Sequence, residues 1–193
     1  MEWYEKLNKY FPIEEMKSKQ HMELLFKEKG NLYFKDEGKH HVMIYAESET
    51  FVFIDYLWVS SESRGQGIGR QLMEKMKQKQ KIIILEVEPI DQDDTDTAKR
   101  LHFYARENFR HALSISFHNR SFLTDEIAPL EILYWSPKEE SEDFIYEQTQ
   151  MIYEKIHRYK TKELYGKELP PAKEVLHYDE TRNFDNILVS LER

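Results

Sequence analysis

Hydrophobic positions change their period several times along the chain, and each change marks an element. From residue 2 to residue 28, Leu7, Phe11, Met16, Met22, Leu24, Leu25 and Phe26 recur at loose helical intervals. Pro12 divides that run into a short and a longer helix. The period then shortens. NLYFKDEG, HHVMIYAES and TFVFIDYLWVS are rich in β-branched and aromatic residues and are joined by short polar links. They predict three strands, the last two an antiparallel hairpin. From Arg70 to Lys81 the period lengthens again, with Leu72, Met73 and Met76 on one side of an amphipathic helix. KIIILEVEP is a near-continuous apolar strand that Pro89 ends. Strand, helix and strand in this order read as a βαβ-type unit with adjacent strands parallel.

Further along, DQDDTDT is an acidic loop and AKRLHFYAREN a helix. HALSISFHNRSF and PLEILYWSP read as two more strands. Phe144, Ile145, Met151, Ile152 and Ile156 form an apolar stripe that predicts a helix over about 141–160. Its aromatic residues Phe144, Tyr146 and Tyr153 are expected to dock on the sheet, a homodimer contact being the alternative. After Gly166 the pattern loses its period, and the remainder, with Pro170–Pro171, reads as a weakly determined tail. No internal repeat or low-complexity tract occurs.

The chain has 193 residues, enough for one domain with a real core. Its formal net charge of -8 gives no general attraction for nucleic acid. It has no cysteine, which rules out disulfides, thiolate metal sites and a cysteine nucleophile, and which fits a reducing compartment. The N-terminus is charged throughout, without the apolar region of a signal peptide. No stretch approaches the roughly 20 apolar residues of a membrane span. The expected location is the cytoplasm, with no membrane partner.

Between the third strand and the amphipathic helix lies Arg64-Gly65-Gln66-Gly67-Ile68-Gly69. Glycines allow close backbone approach to a ligand, so several N–H groups can converge on an anion. The helix start adds its unpaired N–H groups, and Arg64 and Arg70 add charge, so a pyrophosphate is the natural guest. The nucleoside-triphosphate loop fails for want of Gly-Lys-Ser/Thr. Gly65, Gly67 and Gly69 space as G-x-G-x-G and miss the third interval of the dinucleotide fingerprint, although Glu86 lies near the distance of its acidic residue.

The loop does resemble another pattern, R/Q-x-x-G-x-G/A, the acetyl-coenzyme A loop of the GNAT N-acetyltransferases. LWVSSES before it resembles that family's strand leading into the loop, and LHFYARENF resembles its tyrosine-bearing helix end, with Asn108 where glycine is usual. Two features depart from the family pattern. Thr97 stands seven residues before the tyrosine where asparagine is common, and the link carrying Asp91, Asp93, Asp94 and Asp96 is longer. The resemblance covers about residues 1–137 and implies an α/β (α+β) fold: a mixed, mostly antiparallel sheet flanked by helices. Residues 138–193 would be a C-terminal helical extension packed on or trailing from that domain.

The resemblance implies acetyl-CoA-dependent N-acetylation of a primary amine on a small molecule or a protein. Transfer would be direct in a ternary complex, with acetyl-CoA as cosubstrate and no metal. Leu57, Val59, Arg64, Gly65, Gln66, Gly67, Ile68, Gly69 and Arg70 would hold the coenzyme, and the Val59 N–H could polarise the thioester carbonyl. Tyr104 matches the tyrosine that protonates the leaving thiolate; an ordinary tyrosine pKa near ~10 keeps the proton at neutral pH. Read from spacing alone, Tyr104 is a core aromatic of an amphipathic helix beside Phe103; the glycine loop turns the reading toward the acid. Glu86, in ILEVEP, is the candidate base, acting through water, with a solvent-facing strand position as the alternative. Glu88, Asp55 and water itself are the other candidates. Asp55 is a charge inside an apolar strand, which could simply face solvent. His40 and His41 are adjacent, point to opposite strand faces and make a poor metal pair. The rival functions are a coenzyme A-binding sensor that transfers nothing and an interaction module built on residues 138–193.

Overall fold

The architecture is that of a computed structural model, which describes residues 2–63, 65–89 and 95–189. Arg64 and residues 90–94, which hold most of the acidic loop, lie outside them. Two N-terminal helices, α1 (Trp3–Asn8) and α2 (Lys19–Glu28), flank the break at Pro12, and the Ser18 hydroxyl accepts the His21 N–H to cap α2. Strands β1 (Tyr33–Gly38), β2 (His41–Glu47) and β3 (Phe51–Val59) form an antiparallel meander. Helix α3 (Ile68–Lys77) leads to β4 (Ile82–Val87), which pairs with β3 in parallel as the βαβ pattern predicts. Helix α4 (Thr95–Arg106) precedes β5 (Arg110–His111), β6 (Ile115–Arg120) and β7 (Ile127–Trp135).

The C-terminal part continues with α5 (Glu142–Ile152), a π-helical turn (Tyr153–His157), α6 (Thr161–Tyr165), α7 (Ala172–Val175) and β8 (Leu176–Tyr178). The eight-stranded sheet runs in the order β1-β2-β3-β4-β7-β6-β8, with β5 also on β7. The β3–β4 contact is the one parallel pairing among the described residues.

Alternation sends successive strand residues to two separate cores. Val42, Ile44, Phe53, Ile82 and Ile84 face α1, α2 and α5 and meet Leu25, Ile145, Ile152 and Ile156. Met43, Val52, Ile54, Ile83 and Leu85 face α3 and α4 and meet Leu72, Met73, Met76 and Leu101. Each of the three buried apolar residues of α3 contributes about 1.5–3 kcal/mol by burial, which accounts for the helix's orientation.

The expectation of a loose tail is overturned. Leu176–Tyr178 pairs with Ile115–Phe117 at the sheet edge, and Leu169, Ala172 and Val175 are buried beneath it. Arg182 then donates to both oxygens of buried Glu131 at 2.7 and 3.1 Å, and Ile187 sits in the α3–α4 core. Elements of four and three residues are too short to show a period, so their pattern is invisible along the chain.

One irregularity opens the molecule. β3 and β4 pair only from Phe51↔Ile82 to Ile54↔Leu85. At the next residue β3 bulges: Ile54 pairs with Tyr45 and Tyr56 with Ile44, leaving Asp55 as the extra residue. Beyond it Leu57–Val59 keeps its pairing with β2, but β4 pairs on with β7. The edge of β3 that faces β4 is therefore left open along Leu57–Val59.

Candidate active site

Two cavities flank this opening. The larger, about 960 Å³, runs over the glycine loop and is lined by Leu57, Val59, Ser63, Gly65, Gly67, Ile68, Gly69 and Arg70, with α4 opposite. Gly65 (φ 83°) and Gly67 (φ 76°) are both left-handed, a backbone region that L side chains adopt only with strain. A Cβ at either would meet nothing within 4 Å, so their open sides face the groove. Gly67 is the N-cap of α3, and the first helical bond is Gln71 N–H to Gly67 O. The N–H groups of the first turn before it have no helical partner. Gly69 has a different role: a Cβ there would lie 3.3 Å from the Phe103 ring, so it lets α3 and α4 pack closely. Gln66 is exposed and turns its side-chain amide back to the Glu62 carbonyl at 3.5 Å; it does not line the groove. Arg106 lies on the rim with Lys77 and Lys99, which pair there with Glu107 at 2.8 Å and Asp96 at 2.7 Å. The donors and charge suit an anion such as a pyrophosphate.

The smaller cavity, about 340 Å³, lies on the far side of the opening. Glu14, Glu15, Asp55, Glu86, Glu88 and Glu126 line it against Lys17, Arg100 and His157. Leu57, Arg100 and Tyr104 line both cavities, so the two spaces meet there. Tyr104 stands edge-on to Phe103 and Phe109, with centroids at 5.3 and 5.4 Å. Burial pushes its hydroxyl up to about 12, against a smaller opposing effect of the Arg100 charge, so it keeps its proton.

The carboxylates differ in their partners. Asp55 does not face solvent, as its strand position allowed; its side chain is only 4% exposed. The Lys17 ammonium holds its oxygens at 2.8 and 2.9 Å, and the Tyr33 hydroxyl donates at 2.5 Å. Burial acts to raise its pKa, but the Lys17 charge, His157 and the hydrogen bonds outweigh that, and it stays below the ordinary carboxylate range. A carboxylate so neutralised is a poor base. Glu86 follows Ile82 and Ile84 onto the α5 face, where its Oε1 lies 3.0 Å from His157 Nε2. Glu88 is 3.5 Å from Arg100. Glu15 is raised to about 8, first by burial and then by the neighbouring Glu88 carboxylate. One Glu15 oxygen is buried without a hydrogen-bond partner. Glu15, Arg100 and His157 were not singled out along the chain; no local motif marks them. Among the described residues no group of three or more metal-ligating side chains occurs.

An open-edged strand, a helix N-terminus over a glycine loop and a second cavity meeting the first at Leu57, Arg100 and Tyr104 make up the candidate site. Residues 28–111 match the family described as "Acetyltransferase (GNAT) domain". The chain is 54% identical over 191 residues, 99% of its own length and 100% of the relative's, to a Bacillus subtilis (strain 168) protein named "Putative acetyltransferase YjbC". It belongs to the GNAT acetyltransferase family. Its fold is similar to that of a solved protein from Bacteroides thetaiotaomicron titled "Putative acetyltransferase from GNAT family", with a TM-score of 0.57 at 19% identity, over 86% of this chain and 91% of that one. Among the described residues no helix is long and apolar enough to cross a membrane.

Proposed function

We propose that the protein transfers the acetyl group of acetyl-CoA to a primary amine, directly and in a ternary complex. The carrying observation is the meeting of an anion-binding groove and an acidic cavity at Leu57, Arg100 and Tyr104. In this reading the groove takes the pyrophosphate and the pantetheine arm follows the open edge of Leu57–Val59. The amine enters from the smaller cavity, whose carboxylates favour a cationic acceptor. Glu86, directly or through a water, removes the amine proton. The nitrogen forms its bond to the thioester carbon as the C–S bond breaks, the oxyanion meets the Val59 N–H, and Tyr104 protonates the departing thiolate. With no cysteine in the chain, a cysteine-borne acetyl-enzyme has no carrier. Residues 1–137 would form the acetyltransferase domain and 138–193 its extension, working in the cytoplasm.

Calorimetric titration with acetyl-CoA, repeated on Gly67→Glu, tests the groove. Micromolar binding lost in a folded mutant is expected, because the new side chain projects charge into the open side of the loop. Tight binding retained by that mutant would refute the loop assignment. Thiol release is then followed with spermidine, a lysine peptide, an N-terminal peptide and an aminoglycoside. Coenzyme binding without release from any of them would favour the sensor.

A further inference from the structure

We propose that His157, supplied by the C-terminal segment, is the positioning residue for Glu86; this rests on the reading of Glu86 as the base. The two residues lie 71 positions apart, and His157 Nε2 is 3.0 Å from Glu86 Oε1. Among the described residues Glu86 Oε2 takes no hydrogen bond, and Glu86 lines the acidic cavity. One carboxylate oxygen is thus held and the other is left to receive a proton.

His157 is itself held by its neighbours. It is 5% exposed and packs on Phe53, Tyr153 and Phe117, with centroids at 5.6, 5.8 and 6.5 Å. It closes the π-helical turn Tyr153–His157, in which Arg158 N–H donates to Tyr153 O at 2.9 Å. Such wide turns are rare and recur at functional sites. Asp55, the other acid beside His157, is already occupied by Lys17 and Tyr33.

Packing alone does not call for this pair. An imidazole among three aromatic rings is disfavoured against an apolar side chain unless it is hydrogen-bonded. A buried ionisable pair is at best a weak source of stability. The same pair is well suited to orientation, since it fixes one rotamer of a carboxylate at the cavity wall.

The test compares two amide substitutions that differ in reach. The side chain of His157→Gln can place an N–H near the position of Nε2, whereas that of His157→Asn is too short. Both are assayed with the amine of the panel that gives most thiol release, beside Glu86→Gln and the Glu86→Gln/His157→Asn double variant. His157→Asn should lower kcat by about 10²-fold, the scale of a misplaced reacting group, with KM for acetyl-CoA within about twofold. His157→Gln should recover most of that loss, and the double variant should be no slower than Glu86→Gln. His157→Phe, which keeps the ring packing, replaces the asparagine variant if that one does not fold. Equal rates for the Gln and Asn variants, or losses that multiply in the double variant, would overturn the proposal. A wild type silent with every amine would instead remove the reading of function beneath it, and the proposal with it.

Discussion

Tyr104→Phe removes one oxygen from the point where the two cavities meet. The ring contacts with Phe103 and Phe109 survive the change, and no described hydrogen bond of the hydroxyl is lost, so the fold should persist. Burial raises its pKa to about 12, so the wild-type hydroxyl carries its proton at neutral pH. In the proposed reading it is therefore available as an acid. A positioned general acid contributes about 10²–10⁴-fold, or roughly 2.7–5.4 kcal/mol of barrier. Single-turnover release of thiol from preloaded acetyl-CoA is the assay, because it is blind to slow product release. The expected outcome is a fall of about 10²-fold or more with calorimetric affinity for acetyl-CoA unchanged. The pH profile of the wild type should show no alkaline limb from this residue below about pH 11. An unchanged single-turnover rate would return Tyr104 to the role of a core aromatic.

Two further outcomes concern the frame of the site. Asp55→Ala leaves Lys17 at 2% side-chain exposure without its carboxylate, a loss on the order of 3–5 kcal/mol. The melting temperature should drop by about 6–20 °C, and adding Lys17→Met, which removes the orphaned charge, should restore much of it; a drop below 2 °C would contradict the ion pair. Burial, and then the Lys17 charge, push His21 down to about 3. The folded state thus refuses a proton that the unfolded chain accepts near pH 6.5. Its contribution is full above that pH and is lost as pH falls toward 3, on the order of 4 kcal/mol. Melting curves recorded across that window should flatten in His21→Leu, and parallel pH dependence in wild type and variant would refute it.

The helix–strand order was legible because its signals are local. Three to four apolar positions in α3 and an unbroken run in β4 declare their periods within a dozen residues. The glycine loop was legible for the same reason, although its three glycines have two different roles: Gly65 and Gly67 supply left-handed backbone, and Gly69 supplies clearance for Phe103. That difference depends on α4, which approaches from elsewhere in the chain.

The sequence by itself therefore determined the order of elements as far as β7, the parallel crossover, the glycine loop and the tyrosine beside it. Tertiary structure alone decided what surrounds the second cavity. Asp55 could have been solvent-facing until a bulge in β3 and Lys17 of the N-terminal segment buried it. The Glu88 carboxylate helps to raise Glu15 from a separate segment, and His157 reaches Glu86 only because α5 packs on the face that period two gives to Ile82, Ile84 and Glu86. The physical reason is range. Backbone conformation and periodicity are set by near neighbours, whereas the charge state and orientation of a side chain are set by whatever the fold brings within a few ångströms of it.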